Sequence, residues 1–252
     1  MKWRVMTIAF ALAALMGSQA AAQTVDEIIA KHIQARGGLE KLQSVKTMKV
    51  TGKMTMGGGM EAPFTVQMKR PNMFRLDATV QGMTMTQAFD GTTAWKIFPF
   101  MGSKAPEKMT EEETKETQKE ADIDGPLVGY KEKGHSVELM GKEEMEGTEA
   151  YKVKLTMKDG DIKYIYLDGE NFLELKESSK SKHEGAEIEV ERLSGNYKPV
   201  EGIMIAHSVE GRAKGAASGQ TVTIDTIELN ATIEDSLFAM PPAPAPEPQP
   251  SK

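Results

Sequence analysis

The sequence contains no cysteine, and that absence excludes disulfide bridges, thiolate metal centres and thiol nucleophiles together. Its four histidines, His32, His135, His183 and His207, are dispersed, and none falls in a zinc-binding spacing such as H-E-x-x-H. There is no G-x-S-x-G elbow, no phosphate loop and no dinucleotide fingerprint. A basic stripe is missing too. Lys2 and Arg4 are the only charges before residue 23, and the 29 basic and 37 acidic residues that follow leave a formal charge of −8. Nucleic acid and anionic membrane surfaces are therefore not electrostatic partners. The reading is non-catalytic, with no metal and no cofactor. An active site assembled from separate strands would escape motif inspection, so an enzyme stays open as the lesser alternative.

No apolar run is long enough to cross a bilayer comfortably. The run Val5–Met16 follows the charged Lys2 and Arg4 and ends at Ala20-Ala21-Ala22, the three-part pattern of a secretory signal peptide. Residues 1–22 are expected to be removed on export, between Ala22 and Gln23. No cysteine follows that could carry a lipid, so the mature chain is expected in the periplasm, soluble, unanchored and monomeric. At the other end, "PPAPAPEPQPSK" (241–252) favours an extended, solvated polyproline conformation with nothing to bury, and reads as a disordered tail. The folded unit is then one domain, residues 23–240.

Within that unit the dominant period is two, the mark of half-buried strands. Met48, Val50, Met54 and Met56 oppose Lys49, Thr51, Lys53 and Thr55. Phe64, Val66 and Met68 alternate with polar residues, as do Phe74, Leu76, Ala78 and Val80. Further runs surround Met83–Met85, Trp95–Ile97, Tyr151–Met157, Ile162–Leu167, Phe172–Lys176, Glu187–Leu193, Ile203–Val209 and Thr221–Leu229. These make about eleven strands joined by Gly, Asn and Asp turns, an antiparallel meander. Only two helices stand out. Thr24–Glu27 and Thr110–Glu113 are capping boxes. The first opens an apolar stripe of Val25, Ile28, Ile29 and Ile33, on which His32 is a boundary residue. The second opens "EEETKETQKE", whose carboxylates Glu111, Glu112, Glu113 and Glu116 suit a helix N-terminus and face water. That helix has almost no apolar stripe and is expected to pack weakly.

Such a sheet has more apolar face than two helices can cover. It must close on itself or curl around something else. Fifteen methionines lie beyond residue 22, and methionine adapts to irregular apolar shapes. Each could be plain core, but together they point to a hydrophobic pocket, with Met54, Met68, Phe74, Leu76, Met85 and Trp95 as its candidate wall.

Four stretches, "ARGGLEKLQSVKTMKVTGKM" (35–54), "KRPNMF" (69–74), "FDGTTAWKIFPF" (89–100) and "SLFAMP" (236–241), resemble in order and spacing the periplasmic lipoprotein carrier of the bacterial lipoprotein-localisation (Lol) pathway and its outer-membrane lipoprotein-sorting relatives. The resemblance implies an incomplete antiparallel β-barrel, mainly β (α+β), wrapped around lid helices with a hydrophobic cavity between. It implies that Arg70 latches the lid and that Phe74 lies on the apolar face. It further implies a carrier of acylated lipoprotein or lipid cargo, with handover proteins at the inner and outer membranes. The segment 102–134 and the Pro-rich ending depart from that carrier, which leaves room for a free lipid or polyprenyl cargo, for an envelope sensing or partner-binding domain, or for a lipid-modifying enzyme.

Overall fold

The computed structural model describes residues 23–102, 105–145, 147–183, 186–216 and 219–242. The expected signal peptide, and the tail from residue 243 onward, lie outside the described residues. In chain order the elements are α1 (Val25–Ala35), α2 (Leu39–Ser44), β1 (Thr47–Met56), β2 (Met60–Lys69), β3 (Met73–Val80), β4 (Met83–Phe89), β5 (Ala94–Ile97), β6 (Glu107–Lys108), α3 (Glu111–Glu120), β7 (Ser136–Met145), β8 (Thr148–Thr156), β9 (Ile162–Asp168), β10 (Glu174–His183), β11 (Ala186–Val200), β12 (Ile203–Ala213) and β13 (Gln220–Leu229).

The strands form one sheet in the order β6-β5-β4-β3-β2-β1-β13-β12-β11-β10-β9-β8-β7. It is two antiparallel meanders, β1 to β6 and β7 to β13, sewn together where β1 pairs with β13. Strands β6 and β7 end the sheet without pairing to each other, so the barrel is incomplete. The expected eleven strands become thirteen among the described residues. The short β6 and the polar β7 carry too few apolar residues to advertise themselves in sequence. In β7 only Val137 and Leu139 turn toward the core. A charged, glycine-interrupted strand of this kind suits a sheet edge, because it resists pairing with another molecule.

All three helices are placed by their own chemistry. Both capping boxes form: Thr24 with Glu27, and Thr110 with Glu113, each side chain bonding the other residue's backbone N–H. The stripe of α1 lies on the β8–β9 end of the sheet, where Ile28 and Ile29 pack with Val153, Leu155, Ile165 and Leu167. Helix α2, not anticipated from the sequence, follows a tight exit from α1 at Gly37. A Cβ there would come 2.6 Å from the carbonyl oxygen of Gly202, and φ is +124°, so glycine lets α1 rest on the β11–β12 turn. Helix α3 has few apolar side chains, as expected, but it is held more firmly than its sequence suggests: Thr117 is buried, Glu113 pairs with Lys96 of β5, and Lys119 pairs with Asp159 and Asp161 of the β8–β9 turn. The chain just after it is anchored: Ala121 is fully buried against Met68, Phe74 and Phe89.

His32 ties α1 to the β9–β10 connection. Its Nδ1 lies 2.8 Å from the carbonyl oxygen of Phe172, and the ring is 4% exposed. Nδ1 is therefore the protonated, donating nitrogen. Burial pushes the imidazole down from 6.5 to about 4. A folded state that resists charging a base loses stability as pH falls through the unfolded-state pKa, because only the unfolded chain takes up the proton. Stability should be constant in this respect above about pH 6.5 and fall by roughly 1.4 kcal/mol per unit below it, levelling near pH 4. Urea titrations of the wild type and of His32→Gln across that window check it. The variant should show a shallower loss, and equal slopes would remove His32 as the acid-sensitive group.

Candidate functional site

Which face each candidate residue occupies follows from the ladder. Phe74 stands opposite Phe89, Leu76 opposite Gln87 and Val66, and Ala78 opposite Met85 and Phe64. This is the inner face, the one the helices cover. Met68 and Phe74 pack with Phe89, Ala94 and Ala121, with Leu76 alongside. Met54 and Met85 flank the neighbouring group of Val50, Phe64 and Ala78. Five of the six candidates thus share one apolar wall across β1 to β4. It continues over β13 through Val222, Ile224 and Ile227, which the sequence reading had left out of the wall.

Trp95 does not belong to that wall, and here the expectation is corrected. It follows Ala94, whose side chain faces inward, so in a strand it must face outward. Its indole Nε1 donates to the carbonyl oxygen of Phe238 at 2.8 Å, and the Arg75 guanidinium stacks over the ring at 5.6 Å. Residues 231–242 lie as a strap along this outer face. Thr47 donates to Ala231, Lys69 to Ile233, and Arg75 to Leu237, all at backbone oxygens. Phe238 is fully buried under the strap, and an open groove of about 660 Å³ runs beside it, lined by Gln67, Arg75 and residues of the strap. The motif "SLFAMP" therefore closes the outside of the sheet.

Arg70 sits at the β2–β3 turn and reaches over the inner side. Its Nε donates to the carbonyl oxygen of Val45 at 2.6 Å and Nη2 to that of Leu42 at 3.2 Å. Nη1 and Nη2 also grip both oxygens of Asp124, at 2.7 and 2.6 Å. One planar fork thus joins three separate pieces of chain: the sheet, the C-terminal end of α2, and the segment after α3. Only arginine has the donors for this. The pair is largely withdrawn from water, with side chains 26% and 12% exposed. Hydrogen bonding to the Asp124 carboxylate raises the Arg70 pKa above its ordinary value, so the charge is permanent. Arg36, just beyond α1, donates to the backbone oxygen of Asp124 at 2.7 Å, which ties in the first helix as well.

Beneath this junction is a cavity of about 150 Å³, lined by Arg36, Leu42, Val45, Met48, Ile123, Asp124, Ile203 and Ile205. None of the six candidate wall residues borders it. Five of these residues come from the lid side and three from β1 and β12. The sequence reading missed Asp124, Leu42 and Val45. The only signal was an aspartate in "DIDGP" (122–126), beside a Gly-Pro turn. Among the described residues no group of three or more His, Asp or Glu is placed to hold a metal ion.

The fold, compared with solved structures, is shared with three of low identity. A DUF1329 family protein from Desulfovibrio piger superposes with a TM-score of 0.59 at 10% identity, covering 86% of this chain and 98% of that one. A structure assigned to an outer membrane lipoprotein-sorting protein domain from Vibrio parahaemolyticus gives 0.56 at 13% identity, over 84% and 94%. A LolA superfamily protein from Nitrosomonas europaea gives 0.56 at 14%, over 86% and 98%. No family model and no curated protein matches the sequence itself. The likeness is one of fold, and it is the half-barrel with lid helices that the four motifs implied.

The Arg70 fork generates a direct expectation. Hydrogen bonds from a charged donor contribute about 1.5–3 kcal/mol each. Replacing Arg70 with leucine should therefore raise opening of the lid by roughly ten- to a hundredfold. Amide exchange in 39–45 and 122–128 should accelerate by that factor while the β8–β9 core stays protected. Asp124→Asn should do the same more mildly, since it keeps an acceptor for the fork. Unchanged exchange in both variants would make the fork a surface ornament.

Proposed function

We propose that this protein carries the acyl chains of a lipid or lipoprotein through the periplasm, binding them against the inner face of the half-barrel and passing them toward the outer membrane. The observation that carries this reading is the Arg70 fork. It holds α2 and the segment after α3 down over an apolar wall by a few charged hydrogen bonds at one point. The remaining cover combines apolar packing around Ala121 and Ile123 with ion pairs nearer the surface, Glu113 with Lys96 and Lys119 with Asp159 and Asp161. A lid fastened this way can be released as one unit.

The cavity size supports a closed state. Pockets for small ligands generally run to about 300–1,000 Å³, and the space beneath the latch is about 150 Å³. An acyl chain must lift the lid to enter. Burying each methylene contributes roughly 0.8 kcal/mol, so a long chain offsets the loss of the latch. Arg70 is then the latch, Met68, Phe74 and Leu76 are the part of the wall the chain displaces the lid from, and Met54 and Met85 extend that wall beyond the lid. The fold shared with a lipoprotein-sorting domain accords with this. Export through a cleaved signal peptide and handover partners at both membranes belong to the same proposal.

The test is binding of an environment-sensitive apolar dye and its displacement by fatty acids. Displacement should strengthen with chain length. Leu76→Asp, at a partly buried position, should weaken the dye by an order of magnitude or more (roughly 1.4 kcal/mol per decade), with an unchanged far-UV circular dichroism spectrum. Phe74→Asp should do the same where it folds; its deeper burial makes Leu76 the primary variant. Dye affinity insensitive to both substitutions would mean that the inner face is solid core. A protein that binds no acyl ligand would leave the sensing or partner-binding alternative.

A further inference from the structure

The inner face is not apolar throughout. Between the wall of β1 to β4 and the core under α1, the middle strands β9 to β11 turn charged groups inward. The register fixes this. Glu177 stands opposite Ile165 and Arg192, and Ile165 is fully buried in the core. Glu174 stands opposite Leu167, another buried inner residue, and Lys163 opposite the buried Leu155. Arg192 confirms the side by pairing with Glu120 of α3, 3.6 Å away.

These charges are unequally satisfied. Lys163 and Glu177 form a close pair at 2.9 Å. Among the described residues Arg192 has one ion pair, the long contact with Glu120, and its side chain is 51% exposed. The carboxylate of Glu174 takes no hydrogen bond or ion pair among the described residues. Glu174 is surrounded by protein yet keeps partial solvent contact, so its carboxylate is accessible to a ligand. Tyr197 marks the same place, its hydroxyl donating to the backbone oxygen of Glu174 at 2.8 Å. One free carboxylate and one loosely held guanidinium therefore face the interior, beside a long apolar wall.

We propose that this strip holds the head of a zwitterionic acyl amphiphile, an ammonium group at Glu174 and a phosphate at Arg192, while the acyl chain lies along the wall. The inference rests on the carrier reading and names the chemical class of its cargo. A fatty acid would answer Arg192 and leave Glu174 without a partner, and an uncharged lipid would leave both groups unanswered. Sign balance points the same way: the acidic Glu174, Glu177 and Glu120 are matched by Lys163, Arg192 and, from the end of α1, Arg36. A molecule bearing both signs fits such a surface, and a singly charged one does not.

Titration gives a second handle. Burial, then Glu177, pushes Glu174 up to about 7, against the opposing pull of Arg36, Arg192 and Lys163. Below that pH the carboxyl is largely neutral and has little to offer an ammonium group. Affinity for the zwitterion should rise with pH through this range.

The experiment is calorimetric titration of the mature chain with lysophosphatidylethanolamine and, separately, with the uncharged monoacylglycerol of the same chain length. The zwitterion should bind roughly tenfold tighter or better. Glu174→Gln and Arg192→Gln should each erase most of that advantage and leave the monoacylglycerol unaffected. The gain in zwitterion affinity between about pH 6 and pH 8 should vanish in Glu174→Gln. Equal binding of both lipids, indifferent to the two substitutions, overturns the headgroup inference and leaves the carrier reading intact. Binding of neither lipid overturns both.

Discussion

Everything on the inner side of this protein depends on how a large apolar sheet face is kept from water by very little cover. The Arg70 guanidinium, with four hydrogen bonds to the lid, is the fastening we propose. From the β2–β3 turn it reaches the carbonyls of Leu42 and Val45 and both oxygens of Asp124, so that one side chain ties two separate lid segments to the sheet. Removing it would leave the Asp124 carboxylate and the Val45 carbonyl without the donor it supplies, while the Leu42 carbonyl keeps its bond from the Val45 backbone N–H. A buried acceptor that loses its partner costs more than the bond contributed net, which is why the closed arrangement is specified and not merely allowed.

The order of strands explains why the fastening sits where it does. The two meanders are joined only at β1 and β13, and the free edges β6 and β7 are kept apart by the connection that contains α3. That connection crosses the open side of the barrel and delivers Ala121, Ile123, Asp124, Leu127 and Val128 to the interior. The gap in the barrel and the lid across it are thus one feature, the consequence of an edge left unpaired. The outer face is secured independently by the strap of residues 231–242 on Trp95 and Arg75. Moving the lid need not disturb it.

Much of this could be read before any coordinates. Strands β1 to β4, β8, β9, β12 and β13 show clean alternation, and both capping boxes announced their helices. The wall residues Met54, Met68, Phe74, Leu76 and Met85 followed from the same alternation. Strands β7, β10 and β11 were missed or shortened because polar residues sit on both of their faces, as in "KESSKSKH" (176–183), leaving no period to detect. The same mixed chemistry that hid these strands supplies the charged interior strip. Trp95 was misplaced because alternation tells two faces apart without saying which is covered. That choice is made by the strap, 143 residues away in sequence. Asp124 was invisible for the same reason: a carboxylate 54 residues from its arginine leaves no local trace. Arg70 was singled out only through family resemblance, since an arginine before a Pro-Asn turn is otherwise an ordinary surface residue; its hydrogen bonds to the lid are now visible, and its role as a latch is the proposal they support.

The central claim is that one arginine latch holds a lid that acyl cargo displaces. Because the chain has no native cysteine, two can be introduced cleanly, at Glu40 on α2 and at Thr223 on the outer side of β13, both exposed. Spin-label distance measurement between them reports lid position directly. The account predicts a single narrow distance in the unliganded wild type, and a second, longer population when an acyl ligand is added or when Arg70 is replaced by leucine. One unchanged distribution under all three conditions would contradict it.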